Sequence, residues 1–244
     1  MYFIGLTHVV QAQIINIEDK RIKTKDSIHW YGDIGLSMTA IQVNKSVLTL
    51  RGNAQIEYKK NRHLWLSLSD YALLKAGSES FENAAFQHFR YNYKLKDALS
   101  LEFYTQVQSN KVQHIRSRVL AGTGIRWRIY KSKNKKSRLY FGIAYMPEYN
   151  VFKNQTSLYF HRLSNYLSAT YDSGKNFKIS SNTYYQPDLQ QLSQARLSTQ
   201  NTLSFKFNRH LSFKIDFTLG YDYTLPNNIE PVFYTWSNGL KWEL

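Results

Sequence analysis

From Ile28 to the C-terminus the chain alternates apolar and polar residues with period two, in segments of about 10 to 16 residues separated by short turns of polar residues, Gly, Asp or Asn. One face of the first segment reads Ile28, Trp30, Gly32, Ile34, Leu36, Met38, Ala40, against His29, Asp33, Ser37 and Thr39 on the other. Leu48, Leu50, Gly52, Ala54, Ile56 and Tyr58 then oppose Thr49, Arg51, Asn53, Gln55 and Glu57. The pattern returns in Leu99–Gln108, Arg116–Ile129 and Leu211–Tyr223. The runs predict about twelve strands, 28–42, 46–59, 63–76, 81–95, 98–113, 115–130, 138–151, 157–172, 175–187, 192–208, 210–224 and 230–244, the third and eighth being the weakest patterns. Turns as short as Lys96-Asp97 and Asn208-Arg209 allow only antiparallel neighbours. The expected fold is all-β, an antiparallel up-and-down meander forming one domain over 28–244.

Periodicity alone leaves open whether the apolar stripe faces a dry core or lipid. Three features favour lipid. The segments reach the ten or so residues that a tilted strand needs to cross a bilayer. Aromatics recur near segment ends, as in two interfacial girdles: Trp30, Tyr58, Tyr91, Tyr93, Trp127, Tyr145, Tyr171, Tyr185, Tyr221 and Tyr223. The polar face carries charges suited to a wet lumen, and Arg90, Glu102, Arg116, Arg118, Arg126, Arg128, Glu148 and Asp216 are the expected lumen-lining residues. The fold class is therefore a transmembrane β-barrel. A mean hydropathy of −0.49 and the lack of an apolar run near 20 residues exclude a helix bundle in a membrane but not a barrel of strands. With no cysteine there is no disulfide framework and no thiolate metal site.

The ends carry further signals. Residues 1–12 form a short apolar stretch ending in Val10, Gln11, Ala12, a small-residue pattern like that before a signal-peptidase cut, and predict a signal peptide. Residues 13–27 are mixed in charge and aperiodic, as in a tether. At the other end the run Asn238, Gly239, Leu240, Lys241, Trp242, Glu243, Leu244 resembles the C-terminal signal by which barrel-assembly machinery captures outer-membrane barrels, with Asn238, Gly239, Trp242 and Leu244 at its characteristic positions. That resemblance implies export and assembly in the outer membrane, among its lipids and lipopolysaccharide. The run Phe86 to Tyr93, the Arg118, Gly122, Gly124, Arg126 pattern and Gly142, Ala144, Tyr145, Met146, Glu148, Tyr149 resemble the salt-induced outer-membrane protein family, a domain family of unknown function that offers no catalytic residues to carry over.

Arg116, Arg118, Arg126 and Arg128 fall on the polar face of one strand, with Gly122 and Gly124 leaving space between them. They make either an anion-attracting, porin-like lumen or one side of a set of cross-strand ion pairs that fills a narrow barrel, and the second reading is favoured. A three-residue turn at 95–97 would set Arg90 opposite Glu102 as such a pair. His161 and Ser164 superficially resemble the His and Ser-Asn elements of outer-membrane phospholipases, but three residues apart in a strand they point to opposite faces. The other histidines are scattered singly, without metal-ligand spacing. The basic run Lys131, Lys133, Lys135, Lys136, Arg138 falls in a turn, and neither a nucleic-acid motif nor a phosphate-cradling Gly loop is present. The sequence thus points to a non-enzymatic outer-membrane barrel, a small channel or a structural barrel, binding no nucleic acid and needing no cofactor or metal. A membrane-embedded lipid hydrolase and a soluble ligand-binding β domain are the alternatives.

Overall fold

The computed structural model describes residues 28–42, 46–133, 136–153, 157–208, 210–226 and 229–242. The expected signal peptide over 1–12, the tether over 13–27, and Lys135 and Leu244 lie outside the described residues. Twelve strands follow one another: β1 (Ile28–Gln42), β2 (Ser46–Lys60), β3 (His63–Ala76), β4 (Glu79–Lys94), β5 (Leu99–Asn110), β6 (Ile115–Lys131), β7 (Arg138–Phe152), β8 (Leu158–Asp172), β9 (Phe177–Pro187), β10 (Ala195–Lys206), β11 (Leu211–Asp222) and β12 (Val232–Trp242). Each pairs antiparallel with its sequence neighbours in a single sheet of order β1 to β12. No ladder joins β1 to β12 among the described residues.

Strands form here because β-branched and aromatic residues alternate with polar ones, and chain reversal is supplied where the run breaks. Asn61 (φ 53°) reverses the β2–β3 turn and Gly77 (φ 61°) the β3–β4 turn. With twelve antiparallel strands, the start of β1, the end of β12 and five of the turns share one end of the sheet, here the terminus-bearing end.

The sheet is strongly curled, with its polar face on the inside. Arg118 on β6 donates to Asp222 on β11 at 2.9 Å, yet in a flat sheet strands five apart stand about 24 Å from each other. Tyr166 on β8 likewise reaches Glu102 on β5 at 2.7 Å, and Arg196 on β10 reaches Glu148 on β7 at 2.8 Å. Burial follows this curvature. Glu57, Glu148, Asn150 and Arg162 are 0% exposed, while Ile34 and Leu36 on the convex face are 82% and 84% exposed.

Three apolar clusters interrupt the polar interior: Leu66, Leu68 and Phe86; Tyr104, Leu120, Ala144 and Met146; and Ile115, Phe152 and Leu225, with Ile229 against them. The first explains why β3 is a weak pattern in sequence. Its inner face is apolar too, and Ser67 and Ser69 face outward beside Gln87 of β4, which bonds both hydroxyls.

Candidate functional site

The inner wall is built by residues of one parity on each strand. Even-numbered residues of β4 to β10 point inward, which places Arg90, Glu102, Arg118, Arg126 and Glu148 there, all buried. Asp216 also faces inward, half-exposed, between Thr202 (2.7 Å) and Lys214 (2.7 Å) and away from the buried charges.

Arg116 departs from the expected lining. The β6–β7 register shifts between Ile115 and Ser117, so a bulge absorbs one residue. Ile115 is turned into the apolar cluster with Phe152, and Arg116 is left exposed. Arg128 keeps its parity and lines the mouth at the terminus-bearing end. The space expected at Gly122 and Gly124 is filled: the Tyr104 ring lies over Gly122, and Ala144 stands against Gly124.

Going inward from the terminus-bearing end, the interior forms successive layers. At the mouth, the β2–β3 and β4–β5 turns with β6, β7 and β8 enclose a cavity of about 290 Å³. Its cations are Lys59, Arg62, Lys94, Arg126, Arg128 and Arg138, and its one carboxylate, Asp97, is bonded to Lys94 at 2.6 Å. That hydrogen bond and charge hold the Asp97 carboxyl below the ordinary carboxylate range. The Arg126 guanidinium lies 3.8 Å from the centre of the Tyr140 ring, which fixes its plane. Arg138, from the basic run 131–138, reaches the cavity wall.

Beneath this vestibule Glu102 accepts from Asn92 (2.6 Å), Tyr166 (2.7 Å) and Arg90 (3.4 Å). The Arg90–Glu102 pair thus exists, on the inner wall, but diagonally. Lys94 pairs with Ser100, a longer turn than the three residues expected, so Asn92 stands opposite Glu102 and Arg90 opposite Tyr104. A small cavity of about 90 Å³ follows, lined by His88, Gln106 and Ser164 among others.

The deepest layer joins five strands and the end of a sixth. Arg196 grips Glu148 with both terminal nitrogens, at 2.8 and 3.0 Å, and donates through Nε to Asp222 at 3.0 Å. Arg118 bonds Asp222 and Asn150, each at 2.9 Å. Arg162 stands 3.5 Å from Glu148, over the Phe160 ring, and donates to the carbonyls of Gln186 and Gln194. Three guanidinium groups therefore share two carboxylates, and Thr224 adds a 2.6 Å bond to Asp222. Arg162, Arg196 and Asp222 were not among the residues singled out from the sequence. Their strand parity marks them as inner-wall residues, but nothing local shows that they meet Glu148.

His161 and Ser164 do lie on opposite faces: His161 stacks on Tyr145 and meets Tyr159 edge-on outside, while Ser164 is buried inside against Gln186. Among the described residues no group of three or more His, Cys, Asp or Glu could hold a metal ion. Asn238, Gly239 and Trp242 lie in the last five residues of β12, with Trp242 facing outward in a stack with His210.

No curated protein matches the chain. A family-wide sequence pattern, described as a protein of unknown function, DUF481, matches residues 34–237, and that description speaks neither of salt induction nor of a membrane. The match runs from the first strand into the last and takes in every layer of the inner wall, so the chain belongs to the DUF481 family.

Proposed function

We propose that the protein is a non-enzymatic outer-membrane β-barrel in which β12 closes against β1, with the terminus-bearing end toward the periplasm and an interior braced by ion pairs. The inversion of polarity carries this reading. Charged residues are buried on the concave side while Trp30, Ile34, Leu36, Met38 and Trp236 stand 59–84% exposed on the convex side, an arrangement that costs free energy in water and is favourable against hydrocarbon. Strands of 11 to 17 residues exceed the crossing length.

Aromatic rows support the same view. Trp30, Tyr58, Trp65, Tyr91 and Phe103 run side by side across β1–β5 near the terminus-bearing end. Tyr149, Tyr159 and Tyr185 lie toward the opposite end of β7–β9. Uncharged polar residues on the convex face bond one another, as Thr183 does Thr199 and Asn201 does Thr199, which lowers the cost of placing them against lipid.

The test is electrophoresis of membrane fractions with and without boiling. A folded barrel gives a heat-modifiable band extracted only by detergent; recovery in the soluble fraction with no mobility shift sinks the proposal. A second reading, a narrow water path, rests on the inner faces of β1 and β11, where Asp33, Ser37 and Lys214 stay exposed. Conductance in planar bilayers separates a water path from a purely structural barrel.

A further inference from the structure

We propose that the cavity of about 90 Å³ between the Glu102 layer and the deepest layer binds one small monovalent anion, a halide such as chloride. Three buried donors, from Arg118, Gln108 and Ser198, line it. Arg118 donates through Nε to Asn150 and through Nη2 to Asp222, and its remaining terminal nitrogen has no hydrogen-bond partner among the described residues. The direction of the Gln108 amide follows from its neighbours. Arg90 can only donate, so His88 accepts from it at Nε2 (3.4 Å) as a neutral imidazole and donates through Nδ1 to Oε1 of Gln106 (3.2 Å). Gln106 in turn donates from Nε2 to Oε1 of Gln108 (2.7 Å). That leaves the Gln108 amide nitrogen, like the Ser198 hydroxyl, on the cavity wall with no hydrogen-bond partner among the described residues.

Charge points to an anion rather than to water alone. No carboxylate is among the described residues lining the cavity. The layer beneath sets three guanidinium groups, Arg118, Arg162 and Arg196, against two carboxylates, Glu148 and Asp222, a surplus of one positive charge. The surplus shows at Arg162, which is 0% exposed and leaves Nε and Nη2 without a hydrogen-bond partner among the described residues. An uncompensated charge held away from water is costly, and one anion beside Arg118 and Arg196, which both line the cavity, cancels it. Size narrows the choice of anion. A single water needs roughly 10–15 Å³, so the cavity takes a halide with a few waters around it. Organic ligands occupy roughly 300–1,000 Å³ and do not fit.

The experiment keeps the folded full chain in detergent at constant ionic strength while sodium chloride, and in a parallel series sodium bromide, replaces sodium gluconate. Two quantities are read: the temperature at which the compact electrophoretic band disappears on heating, and the chlorine NMR linewidth. An anion that binds only the folded chain raises that temperature with the logarithm of its concentration. Saturable stabilisation by both halides, with chloride line broadening that bromide reverses, is expected. The Gln108→Met/Ser198→Ala variant should weaken halide affinity at least tenfold, whereas Ser168→Ala, on the inner wall at the mouth, should change it less than threefold. Stability independent of halide, with no line broadening, marks a cavity filled by water alone and overturns the proposal, as does equal weakening in both variants. Should the double variant lack the folded band, Ser198→Ala alone takes its place. It is then expected to weaken affinity at least threefold, and a smaller change overturns the proposal. Neither readout depends on where the protein resides, so failure here leaves the membrane reading standing.

Discussion

Gly122 and Gly142 show how single residues set the inner wall. Each faces an aromatic ring on the neighbouring strand, Tyr104 and Tyr166, and a Cβ at either glycine would overlap that ring. Gly122→Ala is expected to lower the stability of the folded state by about 1–3 kcal/mol through overpacking. Urea unfolding in detergent reads this directly, and combining it with Tyr104→Ala should cost less than the sum of the single changes. Glu148 is the stronger case. Its carboxylate lies within 3.6 Å of Arg118, Arg162 and Arg196, so Glu148→Gln leaves three buried guanidinium groups with Asp222 alone. A loss of about 3–5 kcal/mol is expected, measured as a fall in the temperature at which the compact electrophoretic band disappears. Arg116→Ala, by contrast, should shift that temperature little, since the bulge leaves the side chain in solvent. A large shift there would mean that the bulge is wrongly placed.

Each strand presents two faces with different tolerances. On β1, Leu36 points to the convex side and Ser37 to the concave side. If the convex side meets lipid, Leu36→Arg costs about 2–4 kcal/mol near mid-depth, and the yield of folded protein in outer-membrane fractions falls. Ser37→Arg, one residue away, should assemble at the normal level. Equal yields for the two would remove the lipid face. The strand boundaries were largely legible in the sequence: β1 and β3 match the periodic runs end for end, and β10 is shorter than expected at both ends. What period two could not convey was the bulge at Arg116, because an inserted residue changes parity without changing composition. The four-residue turn 95–98 was hidden for a related reason. Leu99 begins an apolar run, and only the pairing of Lys94 with Ser100 shows where the ladder resumes.

At the scale of the whole molecule, closure of the proposed barrel is decided at the seam between β1 and β12. Twelve strands place β1 and β12 antiparallel, and closure would hide two rows of unpaired backbone groups. The natural chain has no cysteine, so introduced pairs report without background. A cysteine replacing Trp236, scanned against cysteines at Gly32, Ile34, Leu36 and Met38, should oxidise with one position or two adjacent outward positions if the seam is closed in a fixed register. Crosslinking at none of them, with the folded band intact, would leave the sheet open along this stretch.

By itself the sequence determined the strands, their antiparallel order and, outside the bulge at Arg116, the face most side chains take, because these depend on residues two apart and on turns a few residues long. It also placed Arg90 and Glu102 on one wall and separated His161 from Ser164. Only the tertiary structure decided that Glu148 meets Arg196, 48 residues away, and that Asp222 meets Arg118, 104 residues away. The physical reason is curvature: a local pattern fixes which way a side chain points, whereas the strand it meets across the interior depends on how far the whole sheet bends. The basic vestibule belongs to the same class, since its six cations come from four strands and one turn that the curled sheet gathers at one end.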